Sequence, residues 1–170
     1  MAWVTPTNVA TGDVLTAATW NQAVVANAEA IGGAWTAYTP TWTNVTLGTS
    51  PTQKSAYIAA GKLHIVRIDL TLGTGGSLSG APEATLPNGV SFDADYSDFF
   101  RLGWGSAVDA SPLTANIIHM SPSPTTFARV RFYLTNAAST YLAAENMAAA
   151  TPWTWTTGDR ILGQFMFEAA

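Results

Sequence analysis

Apolar and polar residues alternate with the period of a β-strand over three stretches of the chain. In the first, His64, Val66, Ile68, Leu70 and Leu72 fall on one side, and Leu63, Ile65, Arg67, Asp69 and Thr71 on the other. In the second, Ala128, Val130, Phe132 and Leu134 oppose Arg129, Arg131 and Tyr133. In the third, Ile161, Phe165 and Phe167 oppose Leu162, Gln164 and Met166. Successive side chains of a strand point to opposite faces, so each stretch predicts a strand with one buried face. Ser55 to Ala59 runs into the first stretch through Ala60-Gly61, which predicts a hairpin. Shorter strands are expected at Ala84–Pro87, Arg101–Val108 and Leu113–Met120, with a turn at Asn88-Gly89. Gly73–Gly80 and Ser121–Pro124 read as loops, and Thr140–Ala150 fits a strand or a short Ala-rich helix equally. In Ala34–Leu47, Trp35, Tyr38 and Trp42 stand among threonines, a composition that favours strands. Pro40 cannot donate to a ladder, which confines this segment to a sheet edge or bend. Several short strands, Gly/Pro turns and no helices between them predict an antiparallel sandwich or barrel.

The period changes near the front. Gly12–Gly33, GDVLTAATWNQAVVANAEAIGG, contains no Gly or Pro from Ala17 to Ala30. Thr16 suits the N-cap, and Gly32 and Gly33 suit the C-terminal stop. Trp20, Val24, Asn27 and Ile31 make one stripe of the expected helix, spaced 4, 3 and 4. A helix of about 15 residues is marginal alone in water, so the stripe must be covered. Its own β domain could cover it, as in any amphipathic helix. Sister chains could too, and Asn27 favours them, because a polar residue in an apolar seam can set register and oligomer state. The chain thus divides into residues 1–33, an anchor and oligomerisation helix, and residues 34–170, a β-sandwich domain. Within Met1–Gly12, Trp3 and Val4 fit either a plug for a partner or a segment folded back on the domain.

Composition narrows the function. Charged residues are only 11% of the 170 residues, against 48% hydrophobic. So few charges fit an assembly component better than a free monomer, since about a quarter is usual. Net charge is −4, with 7 Lys+Arg in no basic run, which speaks against nucleic acid and against acidic membranes. No apolar run approaches the roughly 20 residues of a membrane span. MAWVTPTNVATG lacks the positive region and apolar core of a secretory signal. Cysteine is absent, which removes disulfides and thiol chemistry.

Three segments resemble one family. TGDVLTAATWNQAVVANAEAIGGAWTAYTPTWTNVTLG is similar to the start of bacteriophage tail-fibre, minor tail and head-fibre proteins, particularly those of actinobacterial phages. YIAAGKLHIVRIDLTLGTGGSLSGAPEATLP resembles the hairpin, Gly-rich loop and Leu-Pro strand that follow, and TTGDRILGQFMFEA the closing strand. The resemblance covers Gly12 to about Gly89 and Thr157–Ala170. It implies a homotrimer on the virion, with an N-terminal anchor to other virion proteins, a three-helix bundle and a jelly-roll-like β domain. It also implies that the far end binds host-surface carbohydrate. The expected function is therefore a structural fibre or spike, not an enzyme. The alternatives are a capsid or tail decoration protein that binds only virion neighbours, and a free carbohydrate-binding module.

Candidate chemistry is sparse. His64 and His119 stand apart in strands with no Cys or second His nearby, so packing is a better reading than metal ligation. Asp93, Asp95 and Asp98 form DADYSD, which could present oxygens to calcium. It lacks the EF-hand spacing and terminal Glu, so a solvated acidic turn is the better reading. Asp69, Glu83, Asp109, Glu145 and Asp159 are scattered, and no pair presents itself for glycoside cleavage. No catalytic motif and no cofactor fingerprint is present. Among the tryptophans, Trp35 and Trp42 are expected to fill core or seam. Trp104, between two glycines, is the candidate glycan contact, because an aromatic face stacks on a sugar ring.

Overall fold

The computed structural model describes residues 16–25, 28, 35–93, 102–136 and 143–170. The fold is mainly β and antiparallel. The strands are β1 (Thr36–Ala37), β2 (Trp42–Thr46), β3 (Thr52–Gln53), β4 (Ala56–Ala60), β5 (Leu63–Thr71), β6 (Ser77–Thr85), β7 (Gly103–Asp109), β8 (Thr114–Ser123), β9 (Thr126–Asn136), β10 (Ala143–Asn146) and β11 (Arg160–Glu168). They form one sheet in the order β1-β4-β5-β11-β7-β8-β9-β6-β2, with β3 added on β5 and β10 on β9.

The two ends of this order are β1 and β2, which residues 38–41 join directly. Nine strands laid flat would place them roughly 38 Å apart, at about 4.8 Å per step. The linker spans at most about 18 Å, at roughly 3.6 Å per residue. The sheet must therefore curl until its ends meet. Side chains fasten the meeting line. Trp42 Nε1 on β2 donates to Gln53 Oε1 on β3 at 2.9 Å. Asn88, just past β6, donates through Nδ2 to the Tyr57 hydroxyl on β4 at 2.6 Å. Tyr38, inside the linker, meets the Tyr57 ring edge-on, with centroids 5.9 Å apart.

The core lies inside the curl. Val66, Ile68 and Leu70 of β5, Ile161, Phe165 and Phe167 of β11, and Val130 and Phe132 of β9 are all buried. These are the apolar sides of the three alternating stretches. Ile118 and Met120 of β8 complete the layer, and Trp42 stacks on Phe132 with centroids 5.6 Å apart. The β4–β5 hairpin turns through Gly61 at φ 62°, a conformation that costs glycine little.

Two expected loops are strands. Ser77–Gly80 belongs to β6, where Leu78 is buried and pairs with Val45 of β2. A bulge at Asn44, with φ 61° and its Nδ2 bonded to Ala81 O at 2.8 Å, keeps β2 in register with this glycine-bearing strand. Ser121–Ser123 continues β8, although Pro122 lacks an N–H. The β7–β8 ladder ends at Met120, so one side of β8 needs no donor at Pro122. Within Thr140–Ala150, residues Ala143–Asn146 form β10. Both β1 and β2 are end strands, as Pro40 requires.

At the front, Ala17–Trp20 (α1) makes an α-helical turn and Asn21–Val25 a π-helical one. The Trp20 amide bonds Thr16 O at 3.0 Å. Trp20 and Val24 are exposed in the single chain, whereas Asn27 and Ile31 lie outside the described residues.

Trp42→Ala removes the stack on Phe132 and one of the two side-chain bonds described across the meeting line. It is expected to cost about 3 kcal/mol, read as a lower urea midpoint in equilibrium unfolding.

Candidate functional site

Strand register assembles a row of side chains on the outer face of the sheet. Arg67 of β5 pairs with Gln164 of β11, Gln164 with Trp104 of β7, Trp104 with His119 of β8, and His119 with Tyr133 of β9. Directly opposed residues share a face, so these five side chains stand side by side. The row spans roughly 19 Å, at about 4.8 Å per strand.

Its two halves differ. His119 is buried although it points outward. Trp104 meets it at 63° with centroids 6.1 Å apart, and Tyr133 stacks on it at 5.3 Å. The other half is open to solvent. Trp104 is 47% exposed, and Gln164 and Arg67 are exposed beside it. Beyond Arg67, the Trp35 ring lies 4.8 Å from the guanidinium carbon. The face therefore presents two indole rings with an amide and a guanidinium between them. Stacking surface flanked by hydrogen-bond donors is the chemistry that holds a ring-shaped polar ligand.

Close backbone approach sets the position of Trp104. Gly105 faces Gly163 across the β7–β11 ladder. A Cβ built on Gly105 would stand 2.1 Å from Leu162 O, so β7 could not sit where it does with any other residue there.

Beside the open half, a groove of about 470 Å³ is lined by Lys54, Arg67, Asp69, Leu162 and Gln164 together with Ile68 and Gly163. The Asp69 carboxylate is engaged by Arg160 Nη2, 3.1 Å from each oxygen. Elsewhere two buried carboxylates, Glu83 and Asp159, are bound into structure. Glu83, nearly fully buried, accepts from Arg131 Nε at 2.7 Å and from Ser123 Oγ at 2.9 Å. Burial disfavours the Arg131 charge, but the bond and charge of Glu83 outweigh it and hold its pKa above the usual arginine value. Asp159 is fully buried and caps the amides of Ala110 and Thr156 at 2.9 and 2.8 Å.

Of the residues singled out from sequence, Trp104 lies in the open half of the row. Trp20 and Val24 are far from it in sequence and join no strand. His64 is buried in an aromatic stack with Phe167, and its Nδ1 lies 3.0 Å from Lys62 O. Asp93 approaches Lys62 at 3.9 Å, while Asp95 and Asp98 lie outside the described residues. Among the described residues no group of three or more His, Asp or Glu gathers as metal ligands do. Sequence reasoning missed Arg67, Gln164 and Lys54. Alternation placed Arg67 and Gln164 on polar faces, but only the β5–β11 register brings them together.

The outcome defines a β-rich protein that carries an aromatic and polar platform on the outside of a curled sheet. No protein family, curated protein or solved structure matches the chain.

Gly105→Ala should destabilise the protein by about 1–3 kcal/mol, since a methyl there must push β7 and β11 apart. Thermal unfolding by circular dichroism reads this as a lower Tm.

Proposed function

We propose that this is a structural protein of a bacteriophage particle, a homotrimeric fibre or spike that binds host-surface glycan through the face carrying Trp104. The observation that carries the glycan reading is the open Trp104 ring with Gln164 and Arg67 beside it on rigid strands. An indole face covers a sugar ring, while the amide and guanidinium reach its hydroxyls. The virion setting rests on the family resemblance of the N-terminal half and the closing strand. In this reading the curled sheet is a jelly-roll-like sandwich, and residues 1–33 anchor three chains in a short bundle through Trp20, Val24, Asn27 and Ile31. A seam of about two heptads is weak alone, so the β domains share in the interface. Three weak sites on one trimer, and many trimers per particle, then give avidity.

One observation favours a decoration protein instead. Ile117, two rungs along the β7–β8 ladder from Trp104, is 60% exposed, and Leu113 in the turn that closes that hairpin is 77% exposed, apolar surface that suits a protein neighbour.

Light scattering tests assembly: a trimer weighs 3 × 17.9 = 53.7 kDa, and a concentration-independent mass of 17.9 kDa overturns it. Trp104→Ala is expected to weaken adhesion of the purified protein to susceptible cells about tenfold, with the fold kept as read by far-UV circular dichroism. Adhesion of the unaltered protein to no susceptible strain favours the decoration reading.

A further inference from the structure

The groove beside the platform has a charge that the rest of the chain does not share. The protein carries 7 Lys+Arg against 11 Asp+Glu, and three of the six described cations lie against carboxylates. Arg131 is held by Glu83, Arg160 by Asp69, and Lys62 lies near Asp93. Lys54 and Arg67 both line the groove, and among the described residues neither makes an ion pair. Asp69, the carboxylate in the groove wall, is already taken by Arg160. Two positive groups thus face a space of about 470 Å³, within the usual range for a small-molecule site.

Arg67 is also held in place. Its guanidinium carbon sits 4.8 Å from the Trp35 ring centroid, and a guanidinium stacked on a ring keeps its N–H edges free for a planar anion. The net charge of −4 makes the long-range field unfavourable to anions, so attraction must come from these two groups at short range.

We infer that this groove selects an acidic saccharide, binding a carboxylate or phosphate of the glycan between Lys54 and Arg67 while a neighbouring sugar ring lies on Trp104. Gln164 stands between the two, its register partners being Arg67 and Trp104. The inference rests on the glycan-binding reading and adds the class of glycan.

The test is calorimetric titration of the full chain with three probes: a galacturonate tetramer, its carboxyl-reduced neutral counterpart, and a glycerol-phosphate oligomer. At least one acidic probe is expected to bind ten or more times tighter than the neutral one, and which of them does so identifies the anion. Arg67→Ala and Lys54→Glu should each erase that preference, by about tenfold, since each removes a charge-assisted bond. Trp104→Ala should weaken every saccharide that binds. Equal affinity for acidic and neutral probes, or a preference that survives both substitutions, overturns the acidic groove and leaves glycan binding standing. Binding of none of the three probes overturns both.

Discussion

The structure depends on the meeting of the two ends of its sheet. A short linker ties β1 to β2, while hydrogen bonding places them at opposite ends of the strand order. A flat sheet is geometrically excluded, and the curl encloses the core. Contacts along the meeting line are mixed in kind: an indole–amide bond, an amide–phenol bond and an edge-on tyrosine pair. Each is modest by itself, because a hydrogen bond contributes only about 1 kcal/mol net. They act on a closure that the covalent chain has already brought near, so little further entropy is lost in making them.

Closure also determines what the outer face can do. With the apolar sides of β5, β9 and β11 turned inward, the polar sides are displayed on a stiff surface. Side chains on neighbouring strands hold their spacing better than side chains on loops, and this is what a stacking platform requires. The glycine pair at 105 and 163 draws β7 against β11 and so brings Trp104 next to Gln164. The low charge of the chain has a consequence here as well. In a chain with so few charged groups, two cations that line one groove without a carboxylate partner stand out electrostatically.

Much of the fold was legible because burial imposes alternation. His64, Val66, Ile68 and Leu70 turn inward, as do Val130, Phe132 and Leu134, and a period of two has no other economical explanation. The misreadings came where composition and context disagree. Gly and Ser at 73–80 carry the composition of a loop, yet pairing with β2 buries Leu78 and extends β6 through half of that stretch. Pro122 signals a break, yet it sits where one side of the strand has no neighbour. Local preference is weak beside tertiary pairing, which alone supplies the missing partners. Trp104 could be picked out because a tryptophan between glycines has few neighbours to cover it. Its companions could not, because residues 67, 104 and 164 are distant in sequence and carry no common motif.

By itself, the sequence determined which residues turn inward along each long strand, and that charge is scarce. Those properties are local, set by side-chain chemistry and by the period of the backbone. Only the tertiary structure decided which strands lie side by side, and therefore that a guanidinium, an amide and an indole share one exposed row. Register between distant strands depends on how the whole sheet closes, and no local pattern encodes it.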